Sequence, residues 1–207
     1  MIASPEPYRL VSGGLEGGIH LEVQRVIRST GQFVDDLTAR YFQSFHRHLP
    51  IISRLRFQNS LIASGGNGGS GGPAADSSVL LLSICLLATT PVPTPGEDGE
   101  RPLDGVTDRQ ALYLSAKALL AQVQGSLHRP SLHLIQAILL LAGFEYASGR
   151  PETAFVTIAG CAREAYAAGI HNRTSTGRGH CDRGLGLRAD DVDEAWNTWW
   201  GIVVYER

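Results

Sequence analysis

Four side chains near the end of the chain carry the donor atoms of a metal site: His171, His180, Cys181 and Asp182. Zinc takes nitrogen and sulfur ligands at short, fixed spacings on a turn or helix. Here a stretch rich in arginine and glycine separates His171 from the other three, and that spacing argues against a bound metal. His46 and His48 stand two apart, which on a helix turns them to different faces. The glycines of Ser12–Gly18 are not followed by the Lys-Ser or Lys-Thr of a phosphate loop. There is no G-x-S-x-G elbow between a strand and a helix, no H-E-x-x-H pair, and no cysteine with an evident activating histidine. No catalytic, cofactor-binding, DNA-binding or metal-binding residue is assigned from these patterns.

Two other groups stand out. Glu145 lies inside the most apolar stretch of the chain, where a carboxylate needs a partner. Arg163, on the next helix, is the candidate for a structural polar pair with it, and Tyr146, Tyr166 and Gln136 are alternatives. Trp196, Trp199 and Trp200 follow the i, i+3, i+4 spacing of one helix face. Such a stripe fits either core aromatics or the lining of an effector pocket.

The elements that position these residues all read as helices. Ser131 to Ala147 is apolar on nearly every face, so it is buried on all sides. It is too short to span a membrane and carries His133, Gln136 and Glu145. Ser131 is its expected N-cap, and Ser148, Gly149 and Pro151 mark its end. Phe33, Leu37, Tyr41, Phe45 and Leu49 recur every four residues and predict one helix from Thr30 to the stop at Pro50. Short helical signals cover 53–62. Asp76 or Ser77 is expected to cap the next helix, which is apolar around most of its circumference and ends at Pro91. Asp108 is expected to cap the one bearing Leu112, Ala116, Leu119 and Val123. Glu152 to Ala168 is rich in small residues, and Asp190 to Asp193 opens the tryptophan helix. Residues 1–29 read as a flexible lead-in, within which Leu21 to Ile27 fits a short amphipathic piece, with loops near 63–76, 91–107 and 171–189. With no period-two alternation, the fold class is all-α: an irregular multi-helix bundle around a buried central helix at about 131–147.

Composition narrows the function. The chain has 207 residues, and 18 Lys+Arg against 20 Asp+Glu give a net charge of -2. A nucleic-acid reader would show a basic face or stripe. The three cysteines, Cys85, Cys161 and Cys181, are far apart, as suits reduced thiols.

The order of the segments resembles a known family. Tyr41-Phe42-x-x-Phe45-His46-x-x-Leu49-Pro50-Ile51, with Phe57 after it, is similar to the opening of the fungal-specific transcription factor domain. That domain is the middle homology region of the fungal zinc binuclear cluster regulators. The apolar helix at 78–88 and Leu112-Tyr113-x-x-Ala116-Lys117-x-Leu119-Leu120 follow in that family's order. So do Pro130-Ser131-Leu132-x-x-Ile135-Gln136, Phe144-Glu145, Ala162-Arg163-x-Ala165-Tyr166-x-x-Gly169-Ile170-His171, Trp199-Trp200 and Glu206-Arg207. The match covers roughly residues 30–207. Family members usually carry a basic pair ahead of the Trp-Trp position, where Trp196 and Asn197 stand here.

The resemblance implies a nuclear, non-DNA-reading regulatory region of a factor controlling RNA polymerase II transcription. It implies modulation by protein partners or a small effector, no membrane association and no enzymatic activity. The family's zinc sits in a six-cysteine DNA-binding module, and three scattered cysteines cannot build it. DNA would be reached only through that missing module. The family's helical domain also continues beyond the Glu206-Arg207 motif, so the chain reads as a fragment or the N-terminal part of the regulatory domain. The rival classes are a helical protein-interaction module unrelated to transcription and an enzyme on a helical scaffold. The basic residues of Arg178–Arg188 are too sparse to read a groove. The chain alone is therefore expected to bind no DNA sequence selectively, and a mobility-shift titration showing salt-sensitive, sequence-selective binding would overturn this.

Overall fold

The computed structural model describes residues 12–63, 74–89, 104–172 and 189–207, with side chains over 17–61, 74–89, 109–172 and 192–207. Among these residues every regular element is helical. The elements are α1 Ser12–Ser29, α2 Val34–Gln43, a single 3-10 turn at Phe45–Arg47, α3 Arg54–Ala63 and α4 Ala75–Ala88. They continue with α5 Asp104–Ser126, α6 Leu132–Ala147, α7 Pro151–Ala168 and α8 Ala189–Glu206. Within the described residues no helix is long and apolar enough to cross a membrane.

The stretch expected to be buried on all sides is α6. The Ser131 hydroxyl accepts the Leu134 N–H at 3.1 Å, capping its first turn. At the other end Gly149 takes φ +73°, and the Arg150 N–H bonds the Glu145 carbonyl. That left-handed residue closes the helix in a way a β-carbon would oppose. Every side chain from Leu134 to Glu145 is buried. The centre is nevertheless shared. The other all-round apolar helix, α4, packs on α1, α2, α3, α5 and α6, while α6 packs on α4, α5, α7 and α8. Two helices without a polar face can be covered only if each is flanked by the amphipathic ones.

The expected flexible lead-in is corrected over 12–29, because α1 is a regular helix. Ile19, Val23 and Ile27 fall one turn apart and are buried, on a helix that packs against α4. The four glycines at 13, 14, 17 and 18 cost about 1 kcal/mol each in helix propensity. Burying three branched aliphatic side chains returns about 2 kcal/mol each, which is enough to carry the segment. Residues 1–11 lie outside the described ones.

The helix expected from Thr30 to Leu49 is broken. It stops at Gln43, Ser44 takes φ -113° and ψ -86°, and one 3-10 turn follows. The break redirects the chain so that Leu49, Ile51 and Ile52 enter the core. There they meet α8 at Gly201. A β-carbon at Gly201 would stand 3.0 Å from Leu139, 3.1 Å from Leu49 and 3.2 Å from Ile51.

Three helix starts also shift. The cap of α4 is Ala74, with no side-chain bond, while Asp76 lies inside the helix and accepts the Ser77 N–H at 2.7 Å. α5 begins at Asp104 rather than Asp108, and α8 at Ala189, ahead of Asp190. Helix thus replaces part of the expected loops near 91–107 and 171–189. Residues 171–172 remain non-helical, and 64–73, 90–103 and 173–188 lie outside the described residues.

Ile138, 3% exposed in the middle of α6, tests the buried-rod assignment. Ile138→Asp is expected to cost about 4 kcal/mol, from an unpaired charge in an apolar site. Urea unfolding followed by circular dichroism measures it, and an unchanged midpoint would mean that α6 is not buried.

Candidate functional site

The polar chemistry of this apolar core is concentrated at two carboxylates, one on α6 and one on α8. Glu145 is fully buried. Its Oε1 accepts the Tyr113 hydroxyl at 2.8 Å and the Lys117 ammonium at 2.9 Å, and Lys117 also donates to the Tyr113 oxygen at 3.1 Å. Tyr113 and Lys117 lie one turn apart on α5, so the two donors converge on one oxygen. Burial pulls the Lys117 ammonium downward, but its bonds to Glu145 and Tyr113 outweigh that and leave it raised above the ordinary lysine value. Around this pair Tyr113 and Phe144 stack at 5.5 Å. The Arg109 guanidinium lies 4.9 Å from the Phe144 ring centre and the Arg150 guanidinium 5.1 Å from that of Tyr113.

The expected Glu145–Arg163 pair is therefore corrected. Arg163 is exposed on α7, and the cation that meets Glu145 is Lys117. The phase of α7 decides this: Ile158, Cys161, Ala162 and Ala165 are among its buried positions, which leaves Arg163 on the outer side. Tyr146 and Tyr166 are exposed as well, and Gln136 is engaged elsewhere.

Gln136 belongs to the second node, which the sequence reading did not single out. Glu194 on α8 is 7% exposed. Its Oε1 accepts the Ser53 N–H and the Gln136 amide, each at 3.0 Å, and its Oε2 accepts Arg56 at 3.0 Å. Gln136 also donates to the Ile51 carbonyl at 2.6 Å, and the Thr198 hydroxyl donates to the Glu194 carbonyl at 2.8 Å. The start of α3, the segment before it, α6 and α8 thus meet at one carboxylate. The only signal in the sequence was an acid and a threonine one turn apart on an amphipathic helix.

The structure divides the three tryptophans: Trp199 packs against the edge of the core, while Trp200 is largely turned to solvent. Among the described side chains of α8, the buried positions are Glu194, Ala195, Thr198, Gly201 and Ile202. Trp196 and Trp199 are half-buried, and Trp200 is 49% exposed. Trp199 packs edge-on against Tyr166 at 5.2 Å and lies 5.8 Å from His171. That three-ring cluster fastens the end of α7 to α8. Trp196 and Trp200 form a separate T-shaped pair at 5.7 Å. A cavity of about 220 Å³ opens instead between α2 and α3, lined by Val34, Thr38, Phe42, Arg54, Phe57 and Leu61.

His171 is thus placed in an aromatic contact, while His180, Cys181 and Asp182 lie outside the described residues. Among those described, no three metal-binding side chains come together. Cys85 and Cys161 are free and buried, on α4 and α7. Burial pushes the Cys85 thiol up to about 12 and the Cys161 thiol further. The two thiols stand on different helices, and among the described residues neither joins a group of three metal-binding side chains.

Comparison with known proteins matches the model of the fungal specific transcription factor domain to residues 38–206. Both carboxylate nodes fall within that range. The chain is also similar to the transcription factor BOA15 of Botryotinia fuckeliana (strain B05.10). The two are 34% identical over 140 residues, which span 68% of this chain and 69% of that protein. No solved structure matches.

The Glu145 node yields a direct test. Lys117→Met leaves a buried carboxylate with one donor, at an expected cost of about 2 kcal/mol. That is less than the loss from a fully buried pair, because the Lys117 side chain is 44% exposed. Adding Glu145→Gln removes the stranded charge, so the double variant should be more stable than Lys117→Met alone. Equal urea midpoints for wild type and Lys117→Met would show that the carboxylate draws nothing from the lysine.

Proposed function

We propose a function from one premise: this chain belongs to the fungal specific transcription factor domain family, and it acts as the non-DNA-reading regulatory region of a nuclear transcription regulator. The observation that carries the reading is the family match over 38–206, which takes in both polar nodes and α3 to α8. The relative named as a transcription factor supports it. In this reading DNA is engaged by a zinc-cluster module outside these residues, and this chain sets the output through a bound partner or effector.

The packing is suited to that role. Glu194 and Gln136 tie α8, α6 and the segment before α3 into one polar joint, so displacement of any one of them disturbs the others. The enzyme reading draws no support from the same residues. Glu145 and Glu194 are held in interhelix bonds rather than presented to a substrate cleft.

A tethering experiment tests the proposal. The chain fused to a heterologous DNA-binding module and activation segment should change reporter output severalfold relative to the fusion without it. Ile138→Asp should abolish that change, and a fluorescent fusion should accumulate in the nucleus. Reporter output indifferent to the chain would rule out the regulatory role.

A further inference from the structure

Charge is unevenly distributed on this protein, whose net charge is -2. Where α5, the end of α6 and the start of α7 meet, Arg109, Lys117 and Arg150 all border the Tyr113–Phe144 stack, at 4.9, 5.5 and 5.1 Å from its ring centres. Lys117 is neutralised by Glu145. Arg109 and Arg150 pair with no carboxylate among the described residues; Arg150 donates to the Gln110 side chain at 2.6 Å. Glu152, exposed in the first turn of α7, makes no ion pair with either. Burial pulls the Arg109 guanidinium below its ordinary value, the mark of a partly desolvated cation that an anion would relieve.

We propose that this seam is a docking surface for an acidic segment of a partner protein. Both guanidinia are already held in place, by ring stacking and by Gln110, so little side-chain freedom remains to be lost when carboxylates arrive. Glu145, beneath this seam, is fully buried and its charge is taken up by Lys117 rather than presented at the surface.

Fluorescence anisotropy with a labelled Glu-rich peptide tests the proposal on the whole chain. The wild type should bind it with an affinity that falls as salt rises, and should not bind the same peptide with every Glu replaced by Gln. Arg109→Gln/Arg150→Gln should weaken binding about fivefold to tenfold. Arg109→Lys/Arg150→Lys, which keeps the charge but loses the stacked planar fork, should bind between the wild type and the Gln variant. Arg25→Gln, which alters an exposed arginine on α1, should change nothing. No binding of the Glu peptide, equal binding of the Gln peptide, or an unchanged affinity in the Gln variant each overturn the proposal. Displacement by inorganic phosphate at constant ionic strength would make the seam a small-anion site instead. The assay reads binding alone, so its failure leaves the regulatory role to the reporter test.

Discussion

A helix buried on every side must have each of its polar side chains answered by a neighbour, and α6 carries two that are wholly buried, Gln136 and Glu145. They stand about 13 Å apart along the axis and about half a turn around it, as nine residues of α-helix dictate. One therefore faces α8 and the other α5. An unanswered amide or carboxylate in such a place costs a large part of a domain's stability. The positions of α5 and α8 are fixed by this requirement as much as by apolar packing. Tyr113 and Lys117 must come to one end of α6, and Glu194 and Thr198 to the other.

The same constraint accounts for the irregular connections. The chain between α2 and α3 breaks its helix so that the Ile51 carbonyl and the Ser53 N–H reach the Gln136–Glu194 joint. Close approach of α8 to that segment would put a β-carbon at Gly201 3.0–3.2 Å from three side chains, tighter than ordinary contact. The aromatic contacts of Trp199 with Tyr166 and His171 then tie down the far side of α8. A helix whose inner face is Ala195, Thr198, Gly201 and Ile202 is thin enough to lie close, and its tryptophans are displaced to the flanks.

Helix type and burial were legible in the residues because they rest on short-range periodicity. The all-round apolar character of 132–147 and the cap at Ser131 needed no knowledge of neighbours. Glycine-rich 12–18 misled because local propensity points away from helix. The stabilising stripe of Ile19, Val23 and Ile27 pays only when α4 lies beneath it.

What the sequence by itself determined is the fold class, the central place of α6 and the fact that Glu145 needs a partner. Each follows from patterns within one helix. Which cation answers Glu145 was decided by the tertiary structure alone, since Lys117 and Arg163 are both plausible until the rotation of α5 and α7 about α6 is set. That rotation depends on small residues such as Ala162 and Ala165 turning inward, which leaves Arg163 outside. Glu194 was hidden for the same reason. Its partners lie 141, 138 and 58 positions away in the chain, and no local pattern reports contacts at that separation.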